Sequence, residues 1–258
     1  MGSETYPLSA LVLRNTKVGE TDLIVTLLAE DGRQVRAVAK GARKPRSSFA
    51  ARLDLFAQVD LLLVSGKSLD IVKEARLVDA HRQVSADMEH AAAAAVVADL
   101  ACKITQQDMA FDRLYDLSCS ALSSIGSSSV PDAVAVCAAY LLKSFAFAGL
   151  RPQLRMCASC GSPLDYGHMA PRQDVAFSVS EGGVICPSCL MYAQTSRVAA
   201  EVLRWADFLL HSTFADIVSA QVPERISFEI LHLCQSWCVS HVSSRLKSLE
   251  FMFNCGLY

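Results

Sequence analysis

No run of 18 uninterrupted apolar residues occurs anywhere in the 258-residue chain. A bilayer-spanning helix needs about that length, so no membrane span is expected. Met1 to Leu13 lacks a basic stretch followed by a long apolar one, so no secretory signal is expected and the chain reads as cytoplasmic. Catalytic motifs are missing too. There is no Gly-x-x-x-x-Gly-Lys-Ser/Thr, no His-Glu-x-x-His and no Gly-x-Ser-x-Gly. Ser65-Gly66-Lys67-Ser68 keeps only the tail of a phosphate loop and sits where a hairpin turn is expected. The chain is therefore expected not to be an enzyme. Aromatic residues are scarce, at 7% against a hydrophobic fraction of 52%, so the apolar content is largely Ala, Val and Leu, which suits packed helices and small strands.

Acidic residues are absent from one stretch in particular. Between Arg33 and Arg52 lie Arg33, Arg36, Lys40, Arg43, Lys44, Arg46 and Arg52, with no Asp or Glu. The net charge of −2 conceals this. Residues 1–80 carry 12 Lys/Arg against 10 Asp/Glu, and residues 81–258 carry 12 against 16. Local sign matters more than the total when the partner is a polyanion. Seven positive charges without a negative one make a phosphate-sized footprint, and Phe49 among them could stack on a base. A solvated basic loop with no partner is the plain alternative.

The first 80 residues read as strands, at Leu8–Arg14, Leu23–Ala29, Gln34–Lys40, Gln58–Val64 and Ile71–Asp79, punctuated by Gly19, Asp31-Gly32 and Ser65-Gly66-Lys67. Val35, Ala37 and Ala39 alternate with polar neighbours, the period of a strand with one wet face. Five such strands fit a small closed barrel such as an OB-fold, although the count alone does not separate that from an SH3-like barrel. Beyond Ala80 the period becomes helical. Ser85–Met109 is Ala-rich, Leu114 to Ile125 recur at helical spacing, and a third stripe starts after Pro131 and stops at Gly149. Ser123–Ser129 reads as a short loop. Ser196 is expected to cap a helix whose stripe includes Val198 and Val202, and a further long helix follows Pro223. The expected class is α+β: an OB-fold-like barrel at 1–80, then a helical domain at 81–258 with a zinc-binding insert at about 151–195.

Cysteine spacing defines that insert. Cys157-Ala-Ser-Cys160, with Gly161 directly after it, is separated by 25 residues from Cys186-Pro-Ser-Cys189. Two residues between paired thiolates let one tight turn supply two ligands of a tetrahedron, and four thiolates leave no open position, so one structural zinc per chain is expected. Asp165–Gly183 is expected to form a small hairpin, and His168 to be a surface histidine. The remaining cysteines, Cys102, Cys119, Cys137, Cys234, Cys238 and Cys255, read as small core hydrophobes.

Two stretches carry a family resemblance. Val18-Gly19-Glu20-Thr21-Asp22-Leu23-Ile24-Val25-Thr26-Leu27 and Val38-Ala39-Lys40-Gly41-Ala42-Arg43-Lys44-Pro45, running on to Phe49, Leu53 and Phe56, resemble the RecO family of recombination mediators. The order of parts is similar across the chain, with the cysteine pairs following Gly149–Pro152. The resemblance implies a protein that binds single- and double-stranded DNA, anneals complementary strands, and works with RecR and single-stranded-DNA-binding protein (SSB) to load RecA at gaps. It implies a nucleoid-associated location. DNA binding would fall to Arg36, Lys40, Arg43, Lys44, Arg46 and Arg52, and metal binding to Cys157, Cys160, Cys186 and Cys189. The acidic C-terminal tail of SSB would dock on the helical domain, where Arg151, Arg155, Arg204 and Lys103 are possible carboxylate partners. Two other readings stand beside this one: a zinc-containing OB-fold protein that binds RNA, and a scaffold whose basic loop holds an acidic protein.

Overall fold

A computed structural model describes residues 4–49 and 51–254, and the chain divides into two compact units between Ser127 and Ser128. The first unit is built on a closed barrel of five strands: β1 (Thr5–Val18), β2 (Asp22–Ala29), β3 (Gln34–Ala39), β4 (Gln58–Val64) and β5 (Asp70–Asp79). β1 is long enough to serve two neighbours. Its first half pairs with β4 (Thr5 opposite Val64) and its second half with β2 (Val18 opposite Asp22). An irregularity between Val12 and Arg14 lets the strand bend from one partner to the other. Closure comes from a parallel pairing of β3 with β5, Val38 opposite Ile71, which gives the order β1-β2-β3-β5-β4 of an OB-fold. The interior mixes small and large residues: Ala10, Ala29, Ala37, Ala39 and Ala57 leave room for Leu27, Leu61 and Leu63 in a narrow barrel.

Leu11, Leu13 and Leu28 are also buried but lie outside that interior set. They point outward from β1 and β2, against which α1 (Met88–Ile104) and α2 (Leu114–Ser127) pack. The Asp87 carboxylate caps α1 by accepting from the His90 N–H at 2.8 Å. Gln34 locks the arrangement, since its side-chain amide donates to the Cys102 carbonyl (3.1 Å) and the Thr105 hydroxyl (3.1 Å). The β2–β3 turn is equally tight. Gly32 has φ +82°, and a Cβ there would stand 2.0 Å from the Phe111 carbonyl oxygen. α2 runs through to Ser127, so most of the serine-rich stretch expected as a loop is helix: Ser127 Oγ bonds back to the Ser123 carbonyl.

The second unit centres on α3 (Val130–Phe147), with α4 (Ala200–His211), α5 (Phe214–Ala220) and α6 (Glu224–His241) packed on it, and α7 (Lys247–Asn254) following. Pro131 occupies the first turn of α3, and Gly149 ends it at φ +74°. By length and composition α3 could cross a membrane, but its buried residues run around the whole helix, the pattern of a core helix. Cys137, Cys234 and Cys238 are buried, and Cys102 and Cys119 half-buried. Burial pushes the last two thiols up to about 11 and about 12, as inert core cysteines require. Cys255 lies outside the described residues. The helix expected to start at Ser196 begins later. Ser196–Ala199 is a strand, β8, that pairs with β6 (Asp174–Ser178), and Ser196 Oγ donates to the Phe177 carbonyl and caps nothing. Pairing with β6 outweighed the capping preference of an isolated serine.

Candidate metal centre and basic face

Between α3 and α4 the chain makes two tight turns that meet. In the first, the Gly161 N–H donates to the Cys157 carbonyl at 2.8 Å, with Gly161 at φ +74° where a side chain would be opposed. In the second, the Cys189 N–H donates to the Cys186 carbonyl at 3.0 Å and Pro187 opens a short 3-10 turn. The hairpin expected between them is present in its second half, where β6 pairs with β7 (Gly183–Val184) and β8 flanks the other edge. The two turns are joined directly, since the Cys186 N–H donates to Cys157 Sγ at 3.3 Å. A small apolar cluster that includes Ala176, Ile185 and Leu164 holds them in place.

All four sulfurs, of Cys157, Cys160, Cys186 and Cys189, lie within 4.8 Å of one another, and the Cys160–Cys186 separation is 3.7 Å. A tetrahedron with metal–sulfur arms of about 2.3 Å has an edge of roughly 3.8 Å, so the donors fit a thiolate-bound ion. Burial pushes the Cys157 thiol up, but the N–H groups of Cys186, Cys160 and Ser159 outweigh it and bring the thiol down to about 6. The Cys160 thiol is lowered by the Ser162 hydroxyl and N–H. Cys189, sharing hydrogen bonds with Cys186 and Cys160, is pushed up to about 12. Thiolates are what a metal needs, and two of the four are favoured by neighbouring N–H and hydroxyl donors. His168 stays on the surface beside Asp165, away from the sulfurs.

The basic segment joins β3 to β4, and its described residues form turns with neither helix nor strand. It is nonetheless anchored. Ala42 and Leu53 are buried in the barrel interior, and Phe49 packs against it instead of standing free. The Asp22 carboxylate accepts from the Gly41 N–H (2.7 Å) and from the Thr21 hydroxyl (2.9 Å). The Arg43 N–H donates to the Thr21 carbonyl (2.9 Å) and its guanidinium to the Gly19 carbonyl (3.2 Å). On the return, Asn15 donates to the Leu53 carbonyl (2.7 Å) and Arg52 to the Ala75 carbonyl (3.1 Å). The loop thus spans one side of the barrel from the β1–β2 turn to β5.

Arg36, Lys40, Arg43, Lys44, Arg46 and Arg52 are all exposed. Among the described residues none of the six forms an ion pair. Arg36 stands apart from the rest, on the outer face of β3 opposite Thr26. One charge of the segment is less free than its composition implies. Arg33 pairs with Asp31 at 2.9 Å. Asp22, eighteen residues upstream of Lys40, is held below the usual carboxylate range first by the Gly41 N–H, then by Thr21, with Lys40 and Lys44 adding to the effect. Sequence reasoning missed Asp22, although a carboxylate at the start of a strand next to Thr21 is a common backbone anchor.

The cations proposed as carboxylate partners are engaged. Arg155 grips Asp207 through its Nε and Nη2 (2.6–3.1 Å), and Arg204 donates to the Tyr166 and Met169 carbonyls. Lys103 pairs with Asp99 at 3.9 Å and belongs to the first unit. Arg151 bonds His211 and, with Pro152, Leu154, Arg155, Met156 and Leu210, lines a groove of about 370 Å³.

Comparison with known proteins covers nearly the whole chain. Residues 3–81 match the family model described as recombination protein O N terminal, and residues 85–250 the one described as recombination protein O C terminal. The chain is 31% identical over 250 residues to the DNA repair protein RecO of Bifidobacterium longum strain DJO10A, covering 96% of this chain and 98% of the relative. It is 29% identical over 255 residues to the protein of the same name from Bifidobacterium adolescentis, and 32% identical over 249 residues to that of Frankia casuarinae; each of these matches covers 96% of this chain.

Proposed function

The chain belongs to the RecO family of DNA repair proteins, and from that premise we propose that it is a non-catalytic recombination mediator. It would bind single- and double-stranded DNA, anneal complementary strands, and help load RecA on gaps covered by SSB. The loop between β3 and β4 carries the reading. Lys40, Arg43, Lys44 and Arg46 stand exposed, without ion pairs, on a backbone fixed at both ends. Phosphate contacts from such cations release counterions and carry no base information, which suits a protein that must accept any sequence. Annealing needs no covalent step. It needs two polyanions screened from each other long enough to pair.

The four-cysteine cluster is proposed to hold one zinc ion. Four thiolates at tetrahedral spacing are the donor set zinc takes in structural sites. When bound, the ion would supply a cross-link between the two turns. RecR is proposed as a partner on the family premise. The SSB tail is proposed to seat in the groove beside Arg151 and Arg155, where Leu154, Met156 and Leu210 give an apolar floor next to two cations. Because Arg155 already holds Asp207, an incoming carboxylate must compete with that pair.

The deciding experiment is annealing of complementary strands coated with SSB. Acceleration by the protein is expected. If strands pair no faster with the protein than without it, the mediator reading falls, and a preference for RNA over DNA in the same assay would point to the RNA-binding alternative.

A further inference from the structure

The outer face of the barrel is covered over one part and bare over another. α1 and α2 cover Leu11, Leu13 and Leu28, and Thr26 at the margin is still 8% exposed. Beyond Thr26, three aliphatic residues stand side by side on adjacent strands. Ile24 on β2 is opposite Val38 on β3, and Val38 is opposite Ile71 on β5. All three are half-exposed, while their neighbours Val25, Ala37, Ala39 and Val72 face the interior. Directly opposed residues on paired strands share a face, so the three form one stripe.

The stripe is edged by cations. Arg36 lies two residues to one side of Val38, Lys40 two residues to the other, and Lys73 two residues beyond Ile71; all three are exposed. Three carboxylates lie near it as well: Asp22 accepts from Gly41 and Thr21, Asp70 from Tyr6 and the Gly66 N–H, and Glu74 stands exposed beside Lys73. Positive edges around an apolar stripe, beside the basic loop, complement a single polynucleotide strand. One feature of such sites is lacking. β2, β3 and β5 contain no Phe, Tyr, Trp or His at all, Phe49 packs on the interior, and Phe56 is buried. Proteins that grip single strands firmly do so by stacking bases on aromatic rings.

We propose that this stripe is a single-strand seat without stacking partners: cations hold the phosphates, Ile24, Val38 and Ile71 support the strand, and the bases stay free to pair. The inference rests on the DNA-binding reading above and deepens it. It explains how one surface can both hold a strand and hand it over. Base–aromatic stacking is lost whenever a complement pairs with the held base, so a seat that lacks it puts no such barrier in the way of annealing.

The test uses the full chain with oligo(dT) and permanganate, which oxidises thymines that are not stacked. Thymines bound by the wild type should react as fast as in the free strand. Val38→Trp, which places a ring on the exposed stripe, should bind oligo(dT) roughly tenfold tighter, protect thymines and slow annealing. Protection of thymines by the wild type overturns the inference without any variant being needed. A folded Val38→Trp that binds and anneals like the wild type overturns the stripe as the seat. If the wild type fails to bind oligo(dT) at all, the DNA-binding reading falls and takes this one with it.

Discussion

Replacing Arg43, Lys44 and Arg46 together by alanine separates binding from folding at the β3–β4 loop. Each phosphate contact with a single strand contributes a slope of about −0.7 in log affinity against log salt. If about four loop cations touch phosphate at once, the wild-type slope is near −3, and affinity falls roughly fifty-fold between 50 and 200 mM salt. Removing three of the four leaves a slope near −0.7 and a loss of only about threefold over the same range. Folding should hardly notice. The turn is kept by backbone bonds, Arg43 N–H to Thr21, Lys44 N–H to Gly41 and Ser47 N–H to Lys44, which alanine preserves. Among the described residues, one exposed side-chain bond, from Arg43 to Gly19, is lost. The thermal midpoint should therefore stay within about two degrees of wild type. Fluorescence anisotropy with a labelled oligonucleotide across a salt series gives the slope, and a two-strand annealing time course gives the activity. A triple variant that anneals as fast as wild type at physiological salt would refute the assignment of DNA binding to this loop.

Metal analysis of protein purified without chelator should find about one zinc per chain, and Cys160→Ser should loosen residues 151–195 while the barrel still melts cooperatively; protein without zinc and with intact disulfides would sink the metal site. Gly32→Ala should destabilise the first unit strongly in a denaturant titration, because the new methyl meets the Phe111 backbone at 2.0 Å and φ is +82°; an unchanged midpoint would show that the turn is not packed as described. Asp22, whose carboxyl is depressed chiefly by the Gly41 N–H, stabilises the loop anchor at any pH above the ordinary aspartate range, and that contribution disappears as pH falls through its lowered folded value. Protection of the Gly41 N–H, taken as its exchange rate relative to the intrinsic rate at each pH, should therefore be high at neutral pH and fall in acid, and Asp22→Asn should show weak protection throughout. A peptide ending in the acidic SSB tail should bind with millimolar affinity or better, and Arg151→Ala should weaken it; absence of any binding to the folded chain would remove the groove from consideration.

Strand positions were legible because the barrel has a wet face and a dry one. Val35, Ala37 and Ala39 alternate with exposed or half-exposed neighbours, and the expected ranges of β2 and β4 differ from the observed ones by one residue at most. The four-cysteine cluster was legible because both turns are local: two residues separate the cysteines of each pair, and Gly161 directly follows the first pair, without reference to the rest of the chain. What escaped depends on pairings distant in sequence. The parallel contact of Val38 with Ile71 closes the barrel, yet nothing in either strand names its partner. Ser196 looks like a helix cap until β6 is placed beside it. Ser123–Ser127 is poor in strong helix formers and becomes helical within α2, where Ile125 is fully buried. Asp22 carries no mark of its link to Gly41 until the loop has folded back over the barrel end.

The cover that α1 and α2 place over Leu11, Leu13 and Leu28 bears on how the protein is made. A nascent chain ending near residue 81 already holds all five strands, but it would leave those leucines wet and the Gln34 amide without the Cys102 and Thr105 acceptors. The barrel should therefore mature on the ribosome only after residue 127 has emerged. A fragment cut at the end of β5 should expose an apolar flank and aggregate, whereas one that extends through α2 carries everything its strands pack against.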